Sequence, residues 1–468
     1  MGARDMHRPD PDRRDAHGQF FAHPGMRPLL FSWAVLLTLL FPGAGNAEPA
    51  ESLQESGEAS WFESNTSWGG YIKARGSASW VDDRSLYGTV DAGTHMDGVF
   101  EGRLTQRTFL TDELLFETHY EILLSGGDTT EARNELAGRF PGLLSSPGYF
   151  TPFTDDDERF LDLTHVIRDE EDYTLTHRLD RLLVDWSPGP FVLRVGRQAV
   201  TWGNGLLFNP MDLVNPFAPT DIEREYKLGD DMAGLRFSTG EGIESEVLYV
   251  PRRDVHTHEI SWERSSLAAK VRMPLGELDL NILGALHYDD EVIGAGVTGY
   301  LGSAAWRADA VWTFLEDGGG KDGYLSLVAN VDYSWVWGGK NLYGFLEFFY
   351  GGLGENDPAA ALQSPELTER LARGELFTLG RAYLAGHARL EAHPLVNILL
   401  TVIHDFGGPS GLLQPRMVWD VTADLQAVIG GTLPYGADGT EFGGFPFPGT
   451  ALLTPAPDRA FVWFTRYF

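Results

Sequence analysis

The stretch that decides the fold is Asp458-Arg459-Ala460-Phe461-Val462-Trp463-Phe464-Thr465-Arg466-Tyr467-Phe468. It has the residue types of a β-strand and ends on an aromatic residue rather than in a polar tail. Counting back in twos from the last residue places Phe464, Val462 and Ala460 on one face with it. Such a face is expected in a transmembrane antiparallel β-barrel, an all-β fold in which the last strand closes onto the first and meets lipid outside. An edge strand of a soluble β-domain is the alternative.

The same ending resembles the C-terminal signal by which outer-membrane barrels of Gram-negative bacteria are recognised for insertion. The resemblance implies that Phe464 and Phe468 form a membrane-insertion signal read by the barrel-assembly machinery. It also implies that the protein lies in the outer membrane, in contact with its lipid and lipopolysaccharide. Arg466 departs from the pattern, because such endings usually carry an aromatic or apolar residue there.

The other end of the chain has the layout of a secretory signal peptide. Met26-Arg27 precedes an apolar run from Leu29 to Phe41, and a small-residue cleavage site ends at Ala47. The run is too short to span a membrane as a helix. We therefore expect an over-extended start at 1–25, a signal peptide at 26–47, a periplasmic N-terminal tail at 48–66 and the barrel at 67–468. A cytoplasmic extension is the alternative for the first segment.

The composition excludes several classes of protein. The chain has no cysteine, which excludes disulfide frameworks, thiolate chemistry and cysteine-based zinc sites. The formal net charge of -31 argues against nucleic acid as a partner. Acidic runs lie between the strand patterns and therefore on loops. Facing lipopolysaccharide, they could share divalent cations with its phosphates, or they could simply be solvated.

Alternation of apolar and polar residues recurs along the chain, as in strands that face lipid on one side and water on the other. Each segment is about ten residues long, which is enough to cross the outer membrane at a tilt. Because an ordinary barrel has an even number of strands, we predict about sixteen, within a range of roughly 14 to 18. Short turns alternate with long loops at about 127–172, 201–229, 352–376 and 435–457.

If the apolar faces point to lipid, the opposite faces line the lumen. Those faces carry both signs of charge in similar numbers, so the lumen is expected to be polar and water-filled. A barrel of this size is too wide for side chains alone to fill, although cross-strand charge pairs would fill a narrower one. The predicted lumen-lining residues are Lys73, Arg75, Arg178, Arg194, Arg307, Asp309, Arg381, Arg389, Arg416 and Asp420.

One segment, residues 195–221, departs from the strand pattern. It begins as a strand and continues as a long loop with two Asn-Pro turns, at Asn209-Pro210 and Asn215-Pro216. Proline fixes φ and asparagine bonds its own backbone, so we expect this loop to hold one shape. Long loops without regular structure are usually functional. We predict that residues 201–229 fold inward and narrow the lumen.

The same segment resembles outer-membrane porins of the alginate-export type and related uncharacterised Gram-negative barrels. The resemblance covers residues 193–226 and rests on Gly196-Arg197-Gln198, Trp202-Gly203 and the Asn-Pro and Asp-rich loop that follows. It implies a diffusion or export channel. Its constriction would be lined or braced by Arg197, Gln198, Trp202, Asn204, Asp212 and Asp221. The alginate exporters carry a strongly basic lumen, and this chain departs from that. Arg197 is equally expected to pin the loop to the wall through Asp212 or Asp221.

The sequence predicts a channel rather than an enzyme. Neither a Gly-x-Ser-x-Gly nor a His-Glu-x-x-His motif occurs. His256 and His258, with Asp254 and Glu259 nearby, could bind a metal, but surface histidines are the simpler interpretation. We predict a porin or export-type channel for small polar solutes or ions, with no cofactor and no metal. A structural or assembly barrel that anchors an envelope polymer is the alternative. The solute, and whether the barrels form homotrimers, stay open.

Overall fold

The computed structural model describes residues 61–139, 156–315, 322–446, 452–454 and 457–468. These residues form one sheet of nineteen antiparallel strands. The strands are β1 (Thr66–Val81), β2 (Gly93–Thr111), β3 (Leu114–Gly127), β4 (Thr164–Asp169), β5 (Tyr173–Trp186), β6 (Phe191–Gln198), β7 (Asp230–Ser238), β8 (Glu244–Arg253), β9 (Ile260–Leu275), β10 (Leu278–His287), β11 (Asp290–Leu301), β12 (Ala304–Phe314), β13 (Gly323–Trp337), β14 (Lys340–Gly351), β15 (Ala382–His393), β16 (Val396–Asp405), β17 (Ser410–Asp420), β18 (Leu425–Gly436) and β19 (Asp458–Tyr467).

The sheet closes into a barrel because its last strand pairs with its first. β19 lies antiparallel to β1 over ten residue pairs, from Tyr71 opposite Tyr467 at one end. Beyond the last pair, Phe468 donates its N–H to the carbonyl of Gly70 at 3.1 Å and accepts the N–H of Gly70 at 3.0 Å. The predicted closure of the last strand onto the first is therefore confirmed.

Eighteen strands form the closed wall, because β4 pairs only with β5 and is not part of the ring. The predicted value of about sixteen is therefore wrong, and the true number lies at the upper limit of the predicted range. The sequence signal is weak around β11, since the connections on either side, at 288–289 and 302–303, are only two residues long and separate it little from its neighbours. Glycines at positions 294, 296 and 299 further weaken the alternation of apolar and polar residues within β11.

The strands of the wall are shortest at β6 and β7, which contain only eight and nine residues. β6 pairs with β5 over Leu182–Trp186 alone, and β4 covers the same edge of β5 farther along. On the other side of the gap, the backbone carbonyl of Glu158 accepts the N–H of Arg253 in β8 at 2.8 Å. Residues 156–169, which we call the wall segment, therefore complete the wall above the two short strands. The chain between those strands is left free to fold inward.

The longer connections lie at one end of the barrel, at 128–172, 199–229, 352–381 and 437–457, close to the predicted positions. Short turns lie at the other end, which by the usual rule faces the periplasm. None of the helices within the described ranges is long and apolar enough to cross a bilayer. These helices are α1 (Trp61–Asn65), a 3-10 turn (Tyr87–Thr89), α2 (Asp128–Arg139), α3 (Pro358–Ala361) and α4 (Pro365–Ala372).

The two faces of the sheet differ in chemistry, as the alternation predicts. Outward side chains such as Trp80, Ile293 and Leu346 are large, apolar and about half exposed. Inward side chains include buried charged residues such as Lys73 and Glu347. This is the arrangement of a barrel with an apolar outer band for lipid and a polar interior.

Candidate functional site

The candidate functional site is the lumen with the loop that lies inside it. We call residues 199–229, which connect β6 to β7, the inner loop. Along its length it contacts β8, then β11 to β15, then β17, β19, β1, β2 and β5. The inner loop therefore follows the inner wall around nearly the whole circumference of the barrel, as a ring rather than a simple inward fold.

A single buried carboxylate on β14 holds one arc of this ring. Glu347 accepts the backbone N–H groups of Leu206 at 2.6 Å, Leu207 at 2.9 Å and Phe208 at 2.8 Å. It also accepts the side-chain amide of Asn330 on the neighbouring strand at 3.0 Å. Because an unsatisfied buried N–H group is costly, the Glu347 carboxylate fixes the position of this arc.

Asn204 lies at the centre of a second set of wall contacts. Its backbone N–H and its side-chain amide both donate to Asp309 of β12, at 2.7 and 2.6 Å. Its side-chain oxygen accepts the hydroxyl of Thr298 at 3.1 Å, and its carbonyl accepts the amide of Asn330 at 3.0 Å. A Cβ atom at Gly296 would lie 2.2 Å from the Asp309 carboxylate, so only glycine fits there. Three wall strands therefore converge on one loop residue.

Aromatic side chains of the inner loop also pack against this part of the wall. Trp202 is 3% exposed and donates its indole N–H to Glu246 of β8 at 2.8 Å, while the ammonium of Lys270 lies 5.2 Å from the indole centroid. Phe208 stacks on Phe349 of β14 with ring centroids 4.6 Å apart. Stacked and buried rings of this size add packing energy to the directional hydrogen bonds.

The second half of the inner loop is held by ion pairs. The carbonyl of Thr220 accepts the side-chain amide of Gln414 on β17 at 2.9 Å. Glu223 then pairs with Arg75 of β1 at 2.6 Å and with Arg459 of β19 at 2.7 Å. One carboxylate of the loop therefore bridges the seam where the first and last strands of the barrel meet.

The next residues continue the ring past the seam. Glu225 pairs with Lys73 of β1 at 3.0 Å and accepts the hydroxyl of Tyr467 on β19 at 3.0 Å. The ring of Tyr226 lies under the guanidinium of Arg103 on β2, 4.8 Å from centroid to Cζ. A cation over an aromatic face is attractive, more so when both are desolvated.

The two ends of the inner loop are joined to each other. Lys227 near its end donates to the carbonyl of Val200 near its start and pairs with Asp212 in its middle at 2.6 Å, and the side chains of Lys227 and Asp212 are at most 5% exposed. The carbonyl of Lys227 accepts Arg181 of β5 at 2.6 Å, and the N–H of Gly229 donates to Asp180 at 3.0 Å. The ring is therefore closed by an internal ion pair and anchored to β5.

Behind this closing point, a buried charge network joins β2, β3 and β5. Arg103 donates to Glu121 and, at 2.8 Å, to Asp180. Arg178 pairs with Glu121 at 2.6 Å and Arg181 pairs with Asp180 at 2.5 Å. Glu121 and Asp180 therefore each have two cationic partners. If one arginine is removed, each carboxylate still has another beside it.

Arg197, the central residue of the predicted motif, lies outside the lumen. Its side chain is 1% exposed and its guanidinium donates to Asp231 of β7 at 2.9 Å, to Asp156 at 3.0 Å and to the carbonyl of Leu161 at 2.7 Å. Gln198 donates to a backbone carbonyl of β7 at 3.1 Å. Arg197 therefore braces the short strands against the wall segment, whereas Gln198 braces β6 against β7.

The two aspartates proposed as partners of Arg197 bind elsewhere. Asp212 pairs with Lys227, and Asp221 accepts the N–H of Glu223 at 3.0 Å and pairs with Arg224 at 3.1 Å. The expectation that either pins Arg197 to the wall is therefore wrong. The two residues organise the inner loop itself, one across it and one within a turn.

The predicted lumen-lining residues lie at inward positions of the wall strands except Arg381, which directly precedes β15, and most of their charge is already paired. Arg178, Arg194, Arg307 and Arg381 pair with Glu121, Asp185, Asp332 and Glu355 at 2.5–2.8 Å. Lys73 and Arg75 pair with the inner loop, Asp309 holds Asn204, and Asp420 accepts the amide of Gln426 at 2.9 Å.

Arg389 and Arg416 are different, because neither has an ion-pair partner among the described residues. Arg389 is exposed in the lumen, 5.5 Å from the ring of Tyr343. Arg416 reaches only the carbonyl of Ile222, at 3.4 Å. They lie one strand apart, since both are opposite Leu399 of β16. This places two uncompensated positive charges on one part of the lumen wall.

Sequence reasoning missed the residues that do most of the anchoring. Glu347, Glu223, Glu225 and Lys227 carry no motif, and Tyr226 is one of many tyrosines. The only sequence signal for Glu347 was its position. It is the one acidic residue of the apolar-rich strand β14, and the alternation of the strand places it on the inward face. The partners of the acidic residues in the inner loop could not be predicted from the sequence, because they depend on which strands the loop contacts.

Metal binding finds no support within the ranges that the structure describes, where no group of three or more potential ligands comes together. The Asp254 carboxylate instead accepts the N–H groups of His256 and Thr257, both at 3.0 Å, and so shapes the β8–β9 turn. The two histidines of that turn remain on an exposed surface.

Fold and site together define a class: a closed barrel with an apolar outer band, a polar interior and an inner ring, as in the channels of the Gram-negative outer membrane. No family model matches the chain, and no curated protein is similar to it in sequence. The resemblance to alginate-export porins therefore rests on the motif residues alone.

Solved structures of similar shape come from this class. OccAB1 of Acinetobacter baumannii has a TM-score of 0.51 at 8% identity, over 89% of this chain and 99% of that chain. OpdK of Pseudomonas aeruginosa, solved with vanillate, has a TM-score of 0.48 at 9% identity, over 87% and 99%. OccK2 of the same organism, solved with glucuronate, has a TM-score of 0.48 at 10% identity, over 87% of this chain and 99% of that chain. At these identities the likeness to OccAB1 extends to the fold alone.

Proposed function

We propose that this protein is an outer-membrane channel that passes small polar solutes or ions through a water-filled lumen, with the inner loop as its constriction. The observation that carries the proposal is the ring itself. A loop held around the inner wall by hydrogen bonds and ion pairs on every side narrows the lumen at a fixed height. Passage is passive, and width and charge at the ring select the solute.

Export of an anionic polymer is the second candidate. The motif at 193–226 supports it, as do Arg389 and Arg416, whose charges have no ion-pair partner among the described residues. A small-solute channel needs only a few open charges, whereas a polymer path needs many along its length. Most lumen arginines are paired, so the small-solute channel is the better supported of the two.

The test is single-channel recording of the protein purified from outer membranes of a Gram-negative host. We expect stable open steps, and a reversal potential in a salt gradient that moves toward cation selectivity in Arg389→Gln. Arg389→Lys is the matched control, since it keeps the charge and should keep the selectivity. A folded barrel without open steps would contradict the proposal.

The place of the constriction can be tested separately, because the chain has no cysteine of its own. Arg224 lies on the inner loop with 46% of its side chain exposed, so Arg224→Cys gives one reactive thiol at the ring. A bulky thiol reagent should then reduce the conductance. Glu241→Cys, in an exposed short turn, is the control and should respond little. Equal responses would place the constriction elsewhere.

A further inference from the structure

A cavity of about 70 Å³ lies between the inner loop and the inward face of β10 to β14, in the half of the barrel that carries the long loops. On this measure one buried water needs roughly 10–15 Å³, so the space corresponds to about five waters or one small ring-shaped molecule. The cavity lies beside the lumen path, and the proposed channel function gives the space itself no role.

The floor of the cavity is the Asn-Pro part of the inner loop. Pro210, Pro216 and Pro219 all line it, together with Leu213 and Phe217. Proline fixes φ, so three prolines within ten residues give a floor that is already formed before anything binds. Preformed sites bind more tightly because less ordering is required on binding.

The sides and roof are largely apolar. Val292, Val311 and Phe349 contribute from three wall strands, and Leu376 and Phe377 cover the space from the connection that follows α4. Val292 and Val311 are each 3% exposed. A lining of this kind takes up an apolar body and excludes a strongly hydrated ion.

The charged groups that line the cavity are already compensated by cations of the protein. Asp212 pairs with Lys227 at 2.6 Å. Asp290 accepts Arg370, and Glu375 pairs with Arg373 at 3.3 Å. A charged ligand would find no free counter-charge here and would lose its hydration, which is costly. The electrostatics therefore favour an uncharged ligand.

Several polar atoms of the lining have no hydrogen-bond partner within the part of the chain that the structure describes. They are Asn209 Oδ1, His287 Nε2 and Glu375 Oε1, and the hydroxyl of Ser326 is a further one. Ser326 of β13 is 5% exposed and lines the cavity, and its hydroxyl makes no hydrogen bond there. Buried hydroxyls are normally hydrogen-bonded, so a free one in an apolar cavity is a ready contact for a ligand. A serine hydroxyl both donates and accepts, which suits a hydroxyl group on the ligand.

We propose that this cavity is a binding site for a small, uncharged, mostly apolar molecule that carries a hydroxyl group, with phenol as the simplest probe. The site rests on the proposed channel function and deepens it, because it names a class of solute that pauses beside the ring. The hydroxyl bonds to Ser326, and the ring lies between the proline floor and the apolar roof.

The test is calorimetric titration of the purified full-length protein with phenol, benzoate and benzylamine. We expect one saturable site for phenol, and binding at least tenfold weaker for the anion and the cation. Ser326→Ala should weaken phenol binding about fivefold, the equivalent of one hydrogen bond. Ser79→Ala is the matched control, since Ser79 is a buried inward serine of β1, 6% exposed, far from the cavity in the ring of strands. It should leave binding unchanged.

A second variant keeps the test decisive. Val311→Phe fills the cavity from β12 and should abolish saturable phenol binding in a protein that still migrates as a folded barrel. Three outcomes would overturn the site: no saturable phenol binding to the native protein, binding unaffected by Val311→Phe, or benzoate binding as tightly as phenol. If Val311→Phe does not fold, the comparison of Ser326→Ala with Ser79→Ala tests the site by itself. Equal phenol affinity in these two variants also overturns the site.

The site and the channel fail in different measurements. Open steps in a bilayer without phenol binding would leave the channel intact and remove the site. Phenol binding without open steps would keep the site and contradict the channel.

Discussion

Two sides of the same lumen hold the inner loop by different chemistry. On one side, from β8 to β15, the loop itself contributes only uncharged groups, and we call this the uncharged side. Backbone N–H groups of the loop reach buried acids of the wall such as Glu347, and rings such as Phe208 stack on the wall. On the paired side, from β17 through the seam to β5, carboxylates of the loop meet cations of the wall, as Glu223 meets Arg75. The first mode is directional and dry, whereas the second responds to ionic strength. The same ring can therefore loosen on one side only.

The largest effect is expected from Glu347→Ala, on the uncharged side. It leaves three backbone N–H groups without their acceptor, and we expect a loss of about 4 kcal/mol in the free energy of unfolding. Urea unfolding in lipid vesicles measures this loss, and single-channel noise should rise as the arc is released.

Glu347→Gln is the control for that prediction, because an amide oxygen still accepts. It should cost about half as much. Equal losses in the two variants would mean that charge, and not the acceptor, holds the arc.

A smaller effect is expected on the paired side, from Arg103→Met. Breaking a buried ion pair usually costs about 3–5 kcal/mol, but here Glu121 keeps Arg178 and Asp180 keeps Arg181, so we expect about 2 kcal/mol. Arg107→Met on the same strand is the control. Arg107 is 53% exposed where it pairs with Glu117, and its loss should cost less than about 0.5 kcal/mol. Similar costs for the two arginines would refute a special role for the buried network.

The next prediction concerns charge rather than stability. Glu223→Gln frees both Arg75 and Arg459, so the reversal potential in a salt gradient should move toward anion selectivity, with a stability loss of about 1 kcal/mol. Glu223→Asp keeps the charge and should keep the selectivity. If the glutamine variant leaves the reversal potential unchanged, the seam of the barrel does not border the solute path.

The smallest effect is a local dependence on pH, at the rim above the uncharged side. Burial raises the pKa of Glu441 in the β18–β19 connection to about 7, with the nearby Asp405 adding to the shift. Its carboxylate accepts the hydroxyl of Tyr383 and the N–H of Leu379 at 3.0 Å. The folded state binds this proton more tightly than the unfolded state does. Docking of the connection is therefore strongest below about pH 4 and weakens as the pH rises through 7.

Hydrogen exchange at residues 437–446 measures this docking. After correction for the intrinsic rates, protection should fall between pH 5 and 8 in the native protein. In Glu441→Gln, which cannot ionise, protection should stay constant. A pH dependence that persists in this variant would assign the effect to another group.

Local pattern was enough to predict much of the fold. Alternation from Ile72 to Trp80 and the aromatic ending place lipid on one face of each strand, because a β-strand turns its side chains to opposite sides in strict order. The two Asn-Pro turns mark the inward loop for an equally local reason. The strand number was missed at the glycine-rich β11, where alternation has few side chains to display.

The site was harder to predict, because it depends on partners far apart in the chain. Arg197 stands in the motif, yet its role follows from Asp156 and Asp231, one in the wall segment and one on β7. Glu347 lies 139 to 141 residues from the N–H groups that it accepts. No local pattern encodes such a pairing, since it depends on which strands the inner loop passes as it circles the lumen.

The sequence by itself therefore determined the barrel, the inward and outward faces of its strands and the position of the inner loop. Each of these follows from residues that are neighbours in the chain. Only the tertiary structure decided the strand number, the path of the inner loop around the wall and which charges stay open. Closing the barrel brings distant strands to the same height, and charges that look alike in sequence become paired, like Arg307, or open, like Arg389.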